Sequence, residues 1–394
     1  MHSLFRRAAV APAPAPMPML AFPGKKPLRF ACDTSAAEKD EDLAALMRTR
    51  RHAVHASESA NASAGEVSAA LAAYVRHIYA AEMRGKSGQQ LLRFAWLDAG
   101  SGNEKKAKAK TSAAASKVQG QGQGHTSLAT ELAVALFALA AETARGAAAE
   151  DRRGVDGIRR ACAALCDAAG ALAAAAAAGR RATEPSGLCH MTDACLAALE
   201  RLMLAQALEC YFELAVAGGR PPELCSKIAR QLSLDYLEVA VALDGLNHHQ
   251  QQQQQQHPID KSWVPHAQGK AAYFHAEACL QRARALLAQG AGAVGEAVAR
   301  LRSGVSILED AGSRTGPLRK SSSSSSATAL AAVRDAAARL RKEAEAELAA
   351  AEKENCQVYY ERVPAADALA ALPALPHPLV QPTKLERILR EADH

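Results

Sequence analysis

Apolar residues recur at intervals of three and four along most of the chain. The pattern is clearest over 263–311. There Tyr273, Ala276, Leu280, Ala283 and Leu287 form one stripe, and Val294, Val298, Leu301, Val305 and Leu308 form a second. Such spacing gives each helix a single apolar face. The same reading predicts helices over about 35–56, 63–83, 126–149, 154–179, 188–217, 222–246, 260–290, 293–311 and 326–356. Gly290-Ala-Gly292 joins the clear pair tightly, and Gly218-Gly-Arg-Pro-Pro222 stops one helix on glycine and starts the next on proline. Two short segments, Pro27 to Cys32 and Leu91 to Leu97, read as strands that pair into a small sheet. A helical hairpin with one stripe per helix completes its core only by stacking on its neighbours. The pattern therefore predicts a tetratricopeptide-like solenoid, although no strict 34-residue period emerges.

The periodicity fails in five places. Residues 1–19 are Pro/Ala-rich, with prolines alternating at Pro12, Pro14, Pro16 and Pro18, and are expected to be a disordered arm. Insertions near 100–125, 247–258 and 313–326 carry a lysine cluster (Lys105 to Lys110) with Gln/Gly alternation, a glutamine run and a serine run. These are expected to be disordered loops. Tyr359 to Pro382 holds five prolines with leucines between them, and reads as an extended arm lying on the helices. The expectation is one helical domain over 20–383, followed by a tail over 384–394.

Composition narrows the class. Hydrophobic residues make 49% of the 394, but aromatics only 4%, with alanine supplying much of the apolar count. Alanine-rich text favours close-packed helices over sandwiches and barrels. The balance of 47 basic to 41 acidic residues, net +6, allows a weak contact with an anionic membrane. It falls short of a nucleic-acid-binding composition. Nine cysteines, an odd number set mostly in helical text (Cys162, Cys166, Cys210 and Cys279 among them), read as reduced buried thiols. No apolar run is expected to span a bilayer; Ala171 to Gly179 is too short. The acid-free first twenty residues leave plastid targeting as a minor alternative. The last residues carry no cysteine for prenylation.

Catalytic motifs are absent. No HExxH, GxSxG, Walker loop or paired CxxC occurs, and Cys162, Cys166, Cys189, His190 and Cys195 do not match a metal-ligand spacing. No enzyme activity, metal or cofactor is expected. A binding surface is the remaining chemistry. In the helix over 196–215, Leu196, Leu199, Met203, Ala207, Cys210 and Leu214 make the stripe, while Tyr211 and Phe212 sit partly off it. From spacing alone these two aromatics either pack between helices or line a groove.

Four ordered segments carry a resemblance to the Bro-one domain family of the Alix, Brox and rhophilin group, accessory proteins of the ESCRT membrane-remodelling machinery. Leu91-Leu-Arg-Phe-Ala-Trp-Leu-Asp98 resembles the family's Leu-Arg-Phe-x-Trp-x-Asp segment. Leu202-Met-Leu-Ala-Gln-Ala-Leu-Glu209 is similar to its most distinctive helix. Gly295-Glu-Ala-Val-Ala-Arg-Leu301 resembles a helix start, and Glu354-Asn-Cys-Gln-Val-Tyr-Tyr-Glu-Arg-Val-Pro364 resembles the domain's ending. Met1-His-Ser-Leu-Phe-Arg-Arg and Gly312 to Pro317 look more like single-domain Brox-type members, with no coiled-coil arm or proline-rich tail following. The resemblance implies an all-α fold: a curved, boomerang-shaped helical solenoid with a small N-terminal sheet and an extended Pro-rich C-terminal arm. It implies a non-enzymatic adaptor of endosomal sorting, cytoplasmic and recruited to endosomes. Its partner would be the C-terminal amphipathic helix of an ESCRT-III subunit of the charged multivesicular body protein class, held in a concave apolar groove. Carried over residue by residue, the groove falls on Tyr211, Leu224 and Ile228, with the basic Lys227 between the last two. Positions 224, 227 and 228 share a helical face. The family's usual lysine is replaced by Leu214. The alternative is a membrane-surface or cytoskeletal scaffold acting through basic loops.

Overall fold

The computed structural model of the chain describes residues 16–30, 37–85, 92–98, 123–182, 188, 190–252, 260, 262–314 and 325–391. Nine long helices follow one another among the described residues: α1 (Glu41–Glu58), α2 (Ala64–Met83), α3 (Leu128–Ala149), α4 (Val155–Arg181), α5 (Asp193–Ala217), α6 (Pro222–Gln252), α7 (Trp263–Leu287), α8 (Val294–Arg314) and α9 (Ser325–Glu354). Each packs chiefly on its neighbours in sequence, which is the helix-on-helix stacking of a solenoid. A short α10 (Leu385–Glu391) closes the chain.

Local chemistry sets the helix starts, several of which fall later than the periodicity alone expects. Asp40 caps α1 by accepting from the Asp42 and Leu43 amides. Ser63 and Glu66 form a capping box on α2. Thr192 accepts from the Cys195 amide, so α5 begins at Asp193 rather than 188. Between α5 and α6, Gly219 takes a φ of +63° and the Arg220 amide bonds the Ala215 carbonyl. That turn closes α5, and the two prolines after it begin α6.

The small sheet has three strands in the order β1 (Lys25–Pro27), β2 (Phe94–Asp98) and β3 (Gln123–His125), all antiparallel. The first strand lies before Pro27, not after it, with Lys25 opposite Asp98 and ion-paired to it. The third strand corrects the expectation of a loop through 125. Gly124 makes it feasible, since a Cβ there would meet the Arg93 side chain at 2.8 Å. Under the sheet, Glu131 of α3 is wholly buried. It accepts from Arg50, from the Tyr74 hydroxyl, and from Trp96 Nε1 at 2.8 Å, and lies 2.9 Å from His125 Nε2. Arg50 also donates to the Leu28 and Ala95 carbonyls. One buried ion pair thus ties α1, α2 and α3 to the sheet.

Further expectations are corrected. The N-terminal arm is not free up to residue 19: Met17, Met19, Leu20 and Phe22 are buried in the main core. Gln206 of α5 accepts from the Leu20 amide at 2.5 Å and donates to the Leu20 carbonyl at 3.1 Å, satisfying backbone that has no helix or sheet partner. Helix α6 continues to Gln252, into the glutamine run, because glutamine is a good helix former. The 384–394 segment holds α10, whose Leu389 is buried and which packs on α4 and α2. Helices α3 and α4 are each long and apolar enough to cross a membrane by length and composition, contrary to expectation. In the fold most of the α3 window is buried between α2 and α4. The serine run and Lys105 to Lys110 lie outside the described residues.

The C-terminal arm does lie on the helices, as expected. Asn355 exchanges two hydrogen bonds with the Glu361 backbone, at 2.9 and 3.0 Å, around a left-handed Tyr360 (φ 54°). Glu361 then accepts from the Gly292 and Gly295 amides at the start of α8. Those amides hold the Glu361 carboxyl below the usual carboxylate range. The arm passes so close that a Cβ on Gly295 would stand 2.4 Å from the Arg362 carbonyl oxygen. Farther on, Arg300 donates to the Ala370 carbonyl at 2.8 Å. The Thr383 amide bonds the Cys166 carbonyl of α4 at 3.0 Å, over Gly170.

Candidate partner-binding site

Helix α5 is not amphipathic in the ordinary sense. Its stripe residues Leu196, Leu199, Met203, Ala207 and Cys210 are buried, as the spacing predicts. Polar Gln206 and Glu209 are buried too. Glu209 accepts from Lys270 of α7 at 2.8 Å and from the Tyr236 hydroxyl of α6. Arg152 bonds Glu213 at 2.8 Å and the Met17 carbonyl. Burial holds the Lys270 ammonium below its ordinary range, and Glu209 opposes that shift. His266, one turn before Lys270, is buried with neither ring nitrogen hydrogen-bonded. Burial, then the Lys270 charge, pushes its pKa down to about 2.

Off the stripe, α5 carries half-buried Leu204 and exposed Tyr211 at i and i+7, with Leu208 between them buried; the last stripe residue, Leu214, is half-buried and not fully buried as the spacing predicts. On α6 the matching face carries Leu224, Lys227, Gln231, Asp235 and Glu238. The four-residue turn makes the two helices antiparallel. Leu214 and Leu224 therefore lie at the near end, by the turn, and Leu204 and Asp235 at the far end. Tyr211 is 37% exposed and Leu224 38%. Leu214 is half-buried. Lys227 is half-buried, 3.6 Å from Glu223, which also pairs with Arg282.

Ile228 is not on this surface. Its side chain is 0% exposed, in the buried row Cys225, Ile228, Ala229 and Leu232 that faces the core. A shared helical face with 224 and 227 is thus broken at its edge: Ile228 backs the groove and cannot touch a partner. Phe212 likewise packs inward, its ring edge-on to Phe274 with centroids 5.7 Å apart. Of the aromatic pair, only Tyr211 reaches the surface.

At the far end the C-terminal arm completes the site. Leu375, Pro378, Leu379 and Val380 stand against Leu204, Ala205 and Leu208, around a pocket of about 190 Å³. Arg201, Gln231, Asp235 and Glu238 rim it. Gln231 donates to Asp235 at 2.7 Å, and burial raises the Asp235 carboxyl above its usual range. Sequence reasoning missed these residues. A signal existed: Leu204 is a large apolar residue outside the buried stripe and seven residues before Tyr211. The arm's docking place had no local signal. Among the described residues no group of three or more His, Cys, Asp or Glu side chains could hold a metal. The described cysteines are free thiols, buried or half-buried except the exposed Cys356.

Comparison with known proteins places this geometry. The model of the BRO1-like domain family matches residues 26–393. Vacuolar-sorting protein BRO1 of Arabidopsis thaliana is 35% identical over 261 residues, which cover 66% of this chain and 28% of that protein. The pH-response regulator protein palA/RIM20 of Emericella nidulans is 32% identical over 191 residues, 46% of this chain and 20% of that protein. The chain thus spans less than a third of these relatives' length. Among solved structures, the ALIX BRO1 CHMP4C complex matches with a TM-score of 0.71 at 19% identity, covering 93% of this chain and 95% of that one. A Bro1 domain solved as the structure basis for endosomal targeting matches with a TM-score of 0.68 at 16% identity, covering 95% of each chain. These likenesses show a shared curved helical solenoid.

Proposed function

Because the chain belongs to the BRO1-like domain family, we propose that it is a non-enzymatic adaptor of endosomal sorting. It binds the C-terminal amphipathic helix of an ESCRT-III subunit along the α5–α6 face and is recruited to endosomes by that contact. The observation that carries this reading is the row of half-exposed apolar side chains, Tyr211, Leu214 and Leu224, on a fold shared with a domain solved in complex with CHMP4C. An amphipathic helix laid between two antiparallel helices buries its apolar stripe there. Lys227 stands at the edge of that row and meets an acidic residue of the partner, while Ile228 supports Leu224 from below. The sorting role of the vacuolar-sorting relative agrees with this reading.

The test is fluorescence anisotropy with a labelled peptide of the charged multivesicular body protein C-terminal helix. Tyr211→Asp places a charge in the apolar row, where an unpaired charge costs several kcal/mol. Binding should weaken about 100-fold or more. Equal affinity for wild type and Tyr211→Asp would remove the groove.

A further inference from the structure

The far pocket is continuous with the Tyr211–Leu224 row but differs from it in chemistry. The near end is apolar, and its Lys227 is tied to Glu223. The far end is a cavity with an acidic rim. Asp235 and Glu238 stand on the α6 side, with Arg201 alone opposite them and Glu200 half-buried one residue away. A volume of about 190 Å³ is ample for one leucine or methionine side chain, since an apolar cavity of about 150 Å³ holds benzene. Leu204 and Tyr211 are seven residues apart on one helix, so the pocket and the aromatic are separated by roughly 10 Å along the groove. A partner helix lying along the groove presents its own residues i and i+7 at that spacing.

We propose that this pocket is a selectivity site within the α5–α6 groove. It takes one large aliphatic side chain of the partner helix, seven residues from the side chain packed on Tyr211, and its Asp235–Glu238 rim pairs with a basic residue within one turn of that aliphatic. The assignment rests on the helix-binding reading above and adds to it a spacing and a charge preference. The arm is then part of the binding surface: Leu379, 40% exposed, forms a wall of the pocket while the rest of the arm stays anchored through Glu361, Ala370 and Thr383.

The experiment is a double-mutant cycle between the full chain and labelled synthetic 20-residue amphipathic helices. The parent peptide carries leucines at positions 7 and 14 and lysines at 4 and 17. Each leucine is replaced singly by alanine, and a second peptide has both lysines changed to glutamate. The chains are wild type, Leu379→Asp, Glu238→Lys and Tyr211→Ala. One leucine should couple to Leu379. Its alanine replacement should weaken binding about 30-fold on wild type, as for an interface hot spot, but under about threefold on Leu379→Asp. The other leucine should couple in the same way to Tyr211. Glu238→Lys should weaken the lysine peptide and strengthen the glutamate peptide, each by about fivefold or more. Equal losses for both leucines on wild type and Leu379→Asp would overturn the pocket, and charge reversals without exchange would overturn its rim. If Tyr211→Ala weakens binding while Leu379→Asp and both charge swaps are silent, the groove stands and only the pocket falls. If wild type and Tyr211→Ala bind every peptide alike, the helix-binding reading and the pocket fall together. Superimposable circular dichroism melts for Leu379→Asp and wild type show that a loss is not unfolding.

Discussion

Two sets of side chains on α5 differ in what they meet. Inward, beside the apolar stripe, stand Gln206, Glu209 and Glu213, which hold the backbone at Leu20, Lys270 and Arg152. At the outer edge stand Leu204, Tyr211 and Leu214, exposed or half-buried. The two sets do different jobs. The inner polar groups tie α5 to α6, α7 and the N-terminal backbone, while Tyr211 and Leu214 at the outer edge keep apolar surface exposed. Substitutions on the inner face should therefore cost stability, and those on the outer face should cost binding.

The largest expected effect is Glu209→Ala. It leaves the fully buried Lys270 without its carboxylate, and removing one partner of such a pair costs roughly 3–5 kcal/mol. Denaturant midpoints check it. Pairing Glu209→Leu with Lys270→Met should recover most of that loss, because no buried charge is then left alone. A double variant as unstable as Glu209→Ala would show that the inner face works by shape and not by charge.

Next comes a pH effect beside the same pair. His266 has a folded pKa near 2 against about 6.5 unfolded, so as pH falls below 6.5 the unfolded chain binds a proton that the folded chain does not. Stability is therefore lost on acidification. Between pH 7 and pH 5 this site should cost about 2 kcal/mol, from about 1.4 kcal/mol per unit once the unfolded imidazole is protonated. His266→Phe should be less sensitive to that change than wild type by this amount. Equal urea midpoint shifts in the two proteins would contradict the assignment.

The smallest effect belongs to the outer face. Lys227→Ala removes a half-exposed charge already paired with Glu223, and should weaken the peptide by under about 1 kcal/mol while leaving the midpoint unchanged. A loss as large as that of Tyr211→Asp would mean that charge, not the apolar row, holds the partner.

The same two faces explain what could be read from the sequence. The helices, their order, the pairing of the first two strands and the lie of the proline arm followed from periodicity and from Gly and Pro, because those signals are local. The four familiar segments turn out to be the pins of the fold. Trp96 bonds Glu131, Gln206 and Glu209 hold the Leu20 backbone and Lys270, Gly295 lets the arm pass, and Asn355 shapes the turn into it. Spacing alone leaves Tyr211 open between core and groove, and it is the family resemblance that assigns Tyr211, Leu224 and Ile228 to the groove. Ile228 is buried instead, because a face drawn from three positions does not say where burial begins. The third strand and the pocket were hidden because each needs a partner remote in sequence: β2 for Gln123–His125, and α5 for Leu379.

The most direct test of the separation is one variant measured twice. Tyr211→Asp should melt within about 0.5 kcal/mol of wild type, as surface substitutions do, yet bind the ESCRT-III tail peptide about 100-fold more weakly or worse. A Tyr211→Asp protein that binds as wild type does, or that loses binding only because it has unfolded, would contradict the account.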